Sequence, residues 1–432
     1  MRNKETLTVV PGIFFDYIRL EDYKNASFSI GFKYKVKRGC SSADAILSRL
    51  LLRSSRDYPS QLLFSRRLED LYSTEVTVRS RRNGDFRLAV YTALFLDEPY
   101  AREIPDFTRT VLSFLAGAIF CPALENGKPF PLEQIEQEKT LLLDQIRGIK
   151  NGKNAYAQKR LNEITSDPKR YDVPDYGTIE EAEGITPAVL RRRYRDMLSR
   201  SEIRFAYAGS LPKETVLGLI RSLFASVLTE RPPLAGAACM PPRPLHRPAL
   251  RVREETNGKQ AILGIVYRLP IGTDEPESEK LYMLSAILSD LPMSLLFSEV
   301  REKGGYCYSI NGEIRREKRD LQILCGIEPG SEHAVERAVA RVIASIRAGK
   351  TDQTLISSAV SYLETLLTST WEDVESMVDH VILRGLFGRT TDAEELLRQW
   401  RGVTPDSLAD LTRGLRLDAV YLLTPKGGEN DG

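Results

Sequence analysis

The sequence predicts an α+β fold built twice, each copy an antiparallel sheet packed with helices. Three observations carry this reading. The first is an internal repeat. Leu62-Leu63-Phe64-Ser65 recurs as Leu295-Leu296-Phe297-Ser298, an offset of 295 − 62 = 233. Gly31 and Gly264, Tyr34 and Tyr267, and Gly39 and Gly272 share that offset, and residues 30–36 match 263–269 in hydrophobic pattern. The second is the spacing of apolar residues, in which long helical stretches separate pairs of short alternating runs. The third is the stretch 231–250, which holds Pro232, Pro233, Pro241, Pro242, Pro244 and Pro248. Proline removes a backbone donor and restricts the residue before it, so this stretch is neither helix nor central strand. It reads as a semi-rigid linker. The expected layout is a first domain over 1–230, a linker over 231–250 and a second domain over 251–432.

The elements follow in order. Residues 26–37 alternate as a strand does. Residues 43–52 and 60–71 have helical spacing. Two strands, 74–81 and 85–95, flank a turn at Asn83-Gly84. Residues 107–120 and 132–149 are helices. Thr186-Pro187 opens another, with threonine as N-cap and proline in the first helical position. That helix runs to about 198 and leads into a strand over 203–208. The second copy repeats the order: a strand at 261–269, helices at 279–289 and 291–303, then strands at 306–315 and 321–326. Helices at 335–348, 353–386 and 405–415 precede a last strand at 419–423. Gly184-Ile185-Thr186-Pro187 recurs as Gly402-Val403-Thr404-Pro405 at a shorter offset, so the second copy has lost a few residues in its middle.

Composition narrows the function classes. The chain has 432 residues, 42% hydrophobic and 28% charged, the balance of an ordinary soluble protein of two or three domains. A formal net charge of +2 gives no bulk case for binding nucleic acid or an anionic membrane. The basic run Arg191-Arg192-Arg193-Tyr194-Arg195 reads as a solvated helix face, with an anionic partner surface as the alternative. The first residues lack the apolar core of a signal peptide, and no apolar run approaches the roughly 18–20 residues of a membrane helix. Cys40, Cys121, Cys239, Cys307 and Cys325 are odd in number and contain no CxxC, so a reducing cytoplasm is the expected setting.

The segment from Leu296 to Ser309 reads Leu-Phe-Ser-Glu-Val-Arg-Glu-Lys-Gly-Gly-Tyr-Cys-Tyr-Ser. It resembles the second-domain signature of the pitrilysin/insulysin metallopeptidases (inverzincins), a group that includes mitochondrial processing peptidase. In that signature a helix ending in V-R-E-K-x-G precedes a strand beginning x-x-Y-S. The resemblance extends over nearly the whole chain, because the family is built from the same duplicated domain. Tyr58-Pro59-Ser60, Leu68-Glu69-Asp70-Leu71-Tyr72 and the strands around Arg82-Asn83-Gly84 are similar to one bacterial branch in particular. That branch is named for its association with aminopentanol modification of elongation factor P. The resemblance implies a peptidase-like chain without zinc, usually accompanied by a zinc-bearing relative.

Active members of the family carry H-x-x-E-H on the first helix of the first domain. Two histidines one turn apart bind zinc, and the glutamate activates its water. By position, Ala45 and Arg49 stand where the histidines would be and Ser48 where the glutamate would be. The third ligand falls near Asp144. The only histidines are His246, His333 and His380, and none has a histidine four residues on. His333 and Glu336 form a short H-x-x-E that reads as a solvated helix face. No metal and no cofactor are therefore expected in this chain, and it is not expected to be an enzyme on its own.

The resemblance also implies what remains. In the family an arginine and a tyrosine of the second-domain signature face the zinc across a cavity. The matching residues are Arg301 and Tyr308. A guanidinium binds carbonyl or carboxylate oxygen through two donors, and a phenol can donate to a developing oxyanion. The alternative is that Arg301 pairs with Glu299 or Glu302 while Tyr308 packs at a strand edge. In two-chain members the non-zinc chain can lend such a pair to its partner's zinc site and help enclose a chamber for an unfolded peptide. The expected partners are thus a zinc-bearing paralogue, in a heterodimer, and a peptide substrate. A structural subunit of a larger assembly and a stand-alone peptide-binding homodimer are the other readings.

Overall fold

The protein is described by a computed structural model that covers residues 4–166, 175–234, 239, 244–257, 260–273, 275–389 and 392–426. The first copy opens with strands β1 (Lys4–Val10), β2 (Ile13–Arg19) and β3 (Asn25–Lys35). Helix α1 (Ser41–Leu50) follows, and then α2 (Gln61–Asp70), where the Ser60 hydroxyl accepts from the Leu63 amide as an N-cap. Strands β4 (Glu75–Asn83) and β5 (Phe86–Leu96) pair around a two-residue turn at Gly84-Asp85, one residue later than the expected Asn83-Gly84, because Asn83 still pairs with Phe86. Then come α3 (Phe107–Phe120), the short ribbon β6 (Leu124–Glu125) and β7 (Lys128–Pro129), α4 (Leu132–Gly148) and α5 (Lys153–Thr165). Helix α6 (Ile179–Glu183) precedes α7 (Pro187–Arg200), which starts on Thr186 and Pro187 as expected. Strand β8 (Glu202–Gly209) and α8 (Lys213–Leu223) close the copy.

In the proline-rich stretch, 235–238 and 240–243, with Pro241 and Pro242, lie outside the described residues. Its last residue, Leu250, starts β9 (Leu250–Thr256), and β10 (Ala261–Arg268) follows. The expected helix at 279–289 is a mixed one. A 3₁₀ turn (Pro276–Lys280) leads into α9 (Leu281–Ser285) and a π-helical turn (Ala286–Asp290). The helix expected at 291–303 is a second π-helical turn, Phe297–Glu302. Strands β11 (Ser309–Arg315) and β12 (Asp320–Ile327) and helix α10 (Glu332–Arg347) come next. The long helix expected at 353–386 is two, α11 (Gln353–Thr370) and α12 (Val374–Leu386). Asp373 caps the second by accepting from the Ser376 amide, which starts a new helix instead of continuing the old one. Helices α13 (Ala393–Arg401) and α14 (Pro405–Arg413) and strand β13 (Arg416–Pro425) complete the chain.

The two sheets carry the same topology. One runs β1-β2-β8-β3-β5-β4, the other β11-β12-β10-β13-β9. Without β1, and with the second order reversed, each strand of one has its counterpart in the other. The single parallel pairing falls in the same place, β2 with β8 and β9 with β13. Gly31 lies opposite Val90 and Arg204, and Gly264 opposite Leu324 and Tyr421, so the glycines related by the 233 offset sit in matching central strands.

The compact units are discontinuous in sequence. One comprises Met1–Arg147, Val173–Gly236 and Thr368–Thr390, the other Gly148–Asp172, Ala237–Leu367 and Thr391–Gly432. In the first, α12 of the later copy covers one sheet face, packing Met377, Val378, Val381 and Ile382 with Leu88, Val90 and Ala206. In the second, α5 of the earlier copy does the same with Ala157 and Leu161, against Ile262, Val266 and Tyr421. A helix of α5's length is marginal alone in water, so its packing on the sheet holds it. The paired glycines make room for this. A side chain at Gly31 would meet Leu386 and Ile382, and one at Gly264 would run into Leu161. Gly264→Val should therefore destabilise the protein by about 1–3 kcal/mol through overpacking. Urea denaturation reads this directly, and an unshifted midpoint would contradict it.

A buried acid also ties two strands of the first unit, and a partly buried one ties α5 to the sheet of the second. Asp16 accepts from Arg204, and Glu254 accepts from Tyr421 (3.0 Å), Tyr156 (3.1 Å) and Arg160 (2.7 Å). The linker is pinned at His246, whose backbone amide (3.1 Å) and Nδ1 (2.9 Å) meet Asp418, which also accepts from Arg268 at 2.7 Å. Burial works against ionisation of Asp418, but Arg268 and the His246 bonds outweigh it and hold the carboxyl below its ordinary value. A lowered folded-state value stabilises above the unfolded carboxylate pKa, about 3.9, and that contribution is lost as pH falls through the folded value. Stability should thus fall below about pH 4, and less steeply in Asp418→Asn. Identical acid profiles for the two proteins would contradict this.

Candidate functional site

Helix α1 is buried along its length except at Arg49. Its side chains are committed to local partners. Ala45 lies in the apolar core. The Ser48 hydroxyl donates back to the Asp44 carbonyl at 2.8 Å. Asp44 is held by Arg193, which donates from Nε (2.8 Å) and Nη2 (3.0 Å), both residues being buried. Burial pushes the Asp44 carboxyl up, against the pull of that guanidinium. Arg193 therefore departs from the solvated face expected of its basic run. It lies with Leu190, Tyr194 and Met197 on the buried stripe of α7.

Arg49 donates from Nε to Glu138 Oε2 at 2.6 Å, and Arg53 donates from Nη1 to Oε1 of the same carboxylate at 2.8 Å. Arg53 Nη2 reaches the amide oxygens of Gln61 (2.8 Å) and Gln137 (2.7 Å). The acid of α4 that meets α1 is thus Glu138. Asp144, the expected position, has a side chain 68% exposed and lies 4.0 Å from Arg147 of its own helix. Six residues of α-helix turn through about 600°, so the two acids point to different sides. A signal for Glu138 was present. It falls in register with Ile135, Leu142 and Ile146, the buried stripe of α4, where an acid needs a partner.

These residues do not fit zinc. Ala45 offers no donor atom, Ser48 is bonded to its own helix, and guanidiniums sit on both buried carboxylates, Asp44 and Glu138. Among the described residues no group of three or more His, Cys, Asp or Glu side chains is placed to hold a metal ion. His333 is exposed and 3.7 Å from Glu336, which Arg251 engages through two bonds (2.9 and 2.7 Å). The five cysteines are free thiols. No helix among the described residues is long and apolar enough to cross a membrane.

Arg301 lies on the π-helical turn Phe297–Glu302, its guanidinium 4.9 Å from the centre of the Phe297 ring. Its Nε is 3.7 Å from Glu302, while Glu299 pairs with Lys303 at 2.7 Å. The side chain is 43% exposed. Gly305 turns the chain with φ +60°, a conformation that favours glycine. Strand β11 begins at Ser309, later than the expected 306. Tyr308 stands just before it, half-exposed, with its amide on the Gly326 carbonyl (3.1 Å) and its hydroxyl donating to the Ile327 carbonyl at 3.2 Å. Among the described residues no hydrogen bond joins Arg301 to Tyr308. Burial raises the Cys307 thiol to about 11, against the opposing field of Arg301. A guanidinium fork and a phenol can each bind a carbonyl oxygen, but neither generates a nucleophile.

Residues 184–363 match the family model described as peptidase M16 inactive domain. The chain is 22% identical to "Probable inactive metalloprotease YmfF" of Bacillus subtilis (strain 168), over 97% of this chain and 96% of that protein. A conserved protein from Enterococcus faecalis V583 superposes with a TM-score of 0.89 at 22% identity, covering 99% of this chain and all of that one (100%). A peptidase M16 inactive domain from Pseudomonas fluorescens superposes at 0.82 with 16% identity, covering 99% and 100%.

Proposed function

We propose that this chain, an inactive homologue of the M16 metallopeptidases, is the non-catalytic subunit of a heterodimeric zinc peptidase. It forms half of a chamber that holds a peptide, and Arg301 and Tyr308 act on the substrate at the zinc site of a catalytic paralogue. Arg301 grips a carbonyl oxygen, and Tyr308 releases its backbone acceptor to donate to the oxyanion. The zinc belongs to the partner, and the setting is the bacterial cytoplasm.

One observation carries this reading. Arg301 is exposed on a π-helical turn and Tyr308 is half-exposed just before β11, whereas α1 carries groups that cannot hold metal. π-turns recur at functional sites because they shift side chains out of helical register. The matching helix of the first copy, α2, is an ordinary α-helix. Co-purification with a family relative that carries H-x-x-E-H tests the pairing. A stable one-to-one complex supports the helper role. Failure to associate, with this chain self-pairing and still binding peptide, would favour the homodimeric peptide-binding reading.

A further inference from the structure

Where the zinc helix has been lost, two guanidiniums share one carboxylate. Arg49 and Arg53 both donate to Glu138, leaving this cluster one positive charge in excess. Nη2 of Arg49 and Nε of Arg53 are buried with no acceptor among the described residues. Of the other acids on α4, Glu136 pairs with Lys139 at 3.7 Å, while Glu133 accepts from the neutral Gln137 amide at 3.1 Å and makes no direct bond to either arginine. Gln61 and Gln137 supply only neutral oxygens. A structural tie between α1 and α4 needs one arginine. The second adds like-charge repulsion and desolvation without a further anion to offset them.

We infer that Arg49 and Arg53 form a binding site for a carboxylate of a peptide, supplied by a chain terminus or an acidic side chain. A monoanion balances the excess charge, and its two coplanar oxygens match the guanidinium fork. Arg49 Nη2 and Arg53 Nε are closed to solvent, so the carboxylate meets the exposed remainder of the two side chains, which are 32% and 17% accessible. Leu141, one turn beyond Glu138 on α4, is exposed and gives a peptide an apolar neighbour. This site deepens the peptide-holding reading by naming the group that is held. Its test uses the chain alone, so its failure is separate from failure of the Arg301 and Tyr308 role.

The experiment is fluorescence anisotropy with three fluorescein-labelled peptides of glycine, serine and leucine. One ends in a free carboxylate, one in an amide, and one in an amide with a single internal glutamate. The plain amide should bind roughly tenfold or more weakly than at least one of the others, the usual scale for losing charge-assisted bonds. Which of the two binds identifies the source of the carboxylate. Arg49→Gln and Arg53→Gln should each reduce binding to the level of the amide. If Arg49→Gln fails to fold by circular dichroism, Arg53→Gln carries the test. Glu138→Gln should tighten binding, because it removes the competing carboxylate, whereas a merely structural tie would give no gain. Equal affinity for all three peptides, no binding of any, or no tightening in Glu138→Gln overturns the site.

Discussion

Arg301→Ala should lower peptide cleavage by the reconstituted heterodimer while leaving folding and partner binding intact. Removing one oxyanion donor costs roughly 10²–10³ in rate in a well-studied protease, and a loss on that order or somewhat smaller is expected here. Tyr308→Phe should act in the same direction, because it removes only the hydroxyl. In the free chain that hydroxyl donates to the Ile327 carbonyl, a single bond that substrate can replace. Arg301→Lys should also be impaired, since an ammonium cannot make a planar two-bond contact. Neither side chain is buried, so stability should barely move and any loss is attributable to the site. Turnover unchanged in both single variants and in the double variant would shift the account to a purely structural subunit.

Asp44→Ala should destabilise the protein by about 3–5 kcal/mol, the cost of breaking a buried ion pair, since Asp196 lies farther from Arg193, at 3.6 Å, and is partly exposed. Asp44 and Arg193 are each almost wholly inaccessible, so solvent screening does little to soften this. Adding Arg193→Met should recover much of the loss, because a well-packed apolar pair can replace a buried ion pair at little cost. Denaturation of the single and double variants reads the coupling. A single variant within about 0.5 kcal/mol of the native protein, the range of ordinary surface changes, would mean that the pair contributes nothing.

Much of the fold was legible because its signals are local. The Leu-Leu-Phe-Ser repeat and the paired glycines mark the duplication, and Thr186-Pro187 and Asn83-Gly84 mark a helix start and a hairpin. What escaped depends on tertiary context. Helix α5 buries only Ala157, Leu161 and Thr165, a stripe too narrow to stand out in a polar sequence. The edge strand β1 is mostly exposed, so it lacks a strong apolar alternation. The exchange of α5 and α12 between the two copies leaves no mark in spacing. It shows only in what the glycines exclude. At the α1 site, the lack of donor atoms suited to zinc was readable from Ala45, Ser48 and Arg49. The replacement was not, because Glu138 and Arg193 come from remote helices. Both nevertheless sit as charges on buried stripes, which is the signal a closer reading of periodicity would use.

The most direct test of the central claim is cleavage of an unstructured peptide by this chain, by a zinc-bearing relative, and by their mixture, with zinc counted in each. The account predicts no stoichiometric zinc and no cleavage for this chain alone, and one zinc per heterodimer, carried by the partner. Cleavage should rise sharply on mixing. Stoichiometric zinc and turnover in this chain alone, or a partner that cleaves equally fast without it, would contradict the account.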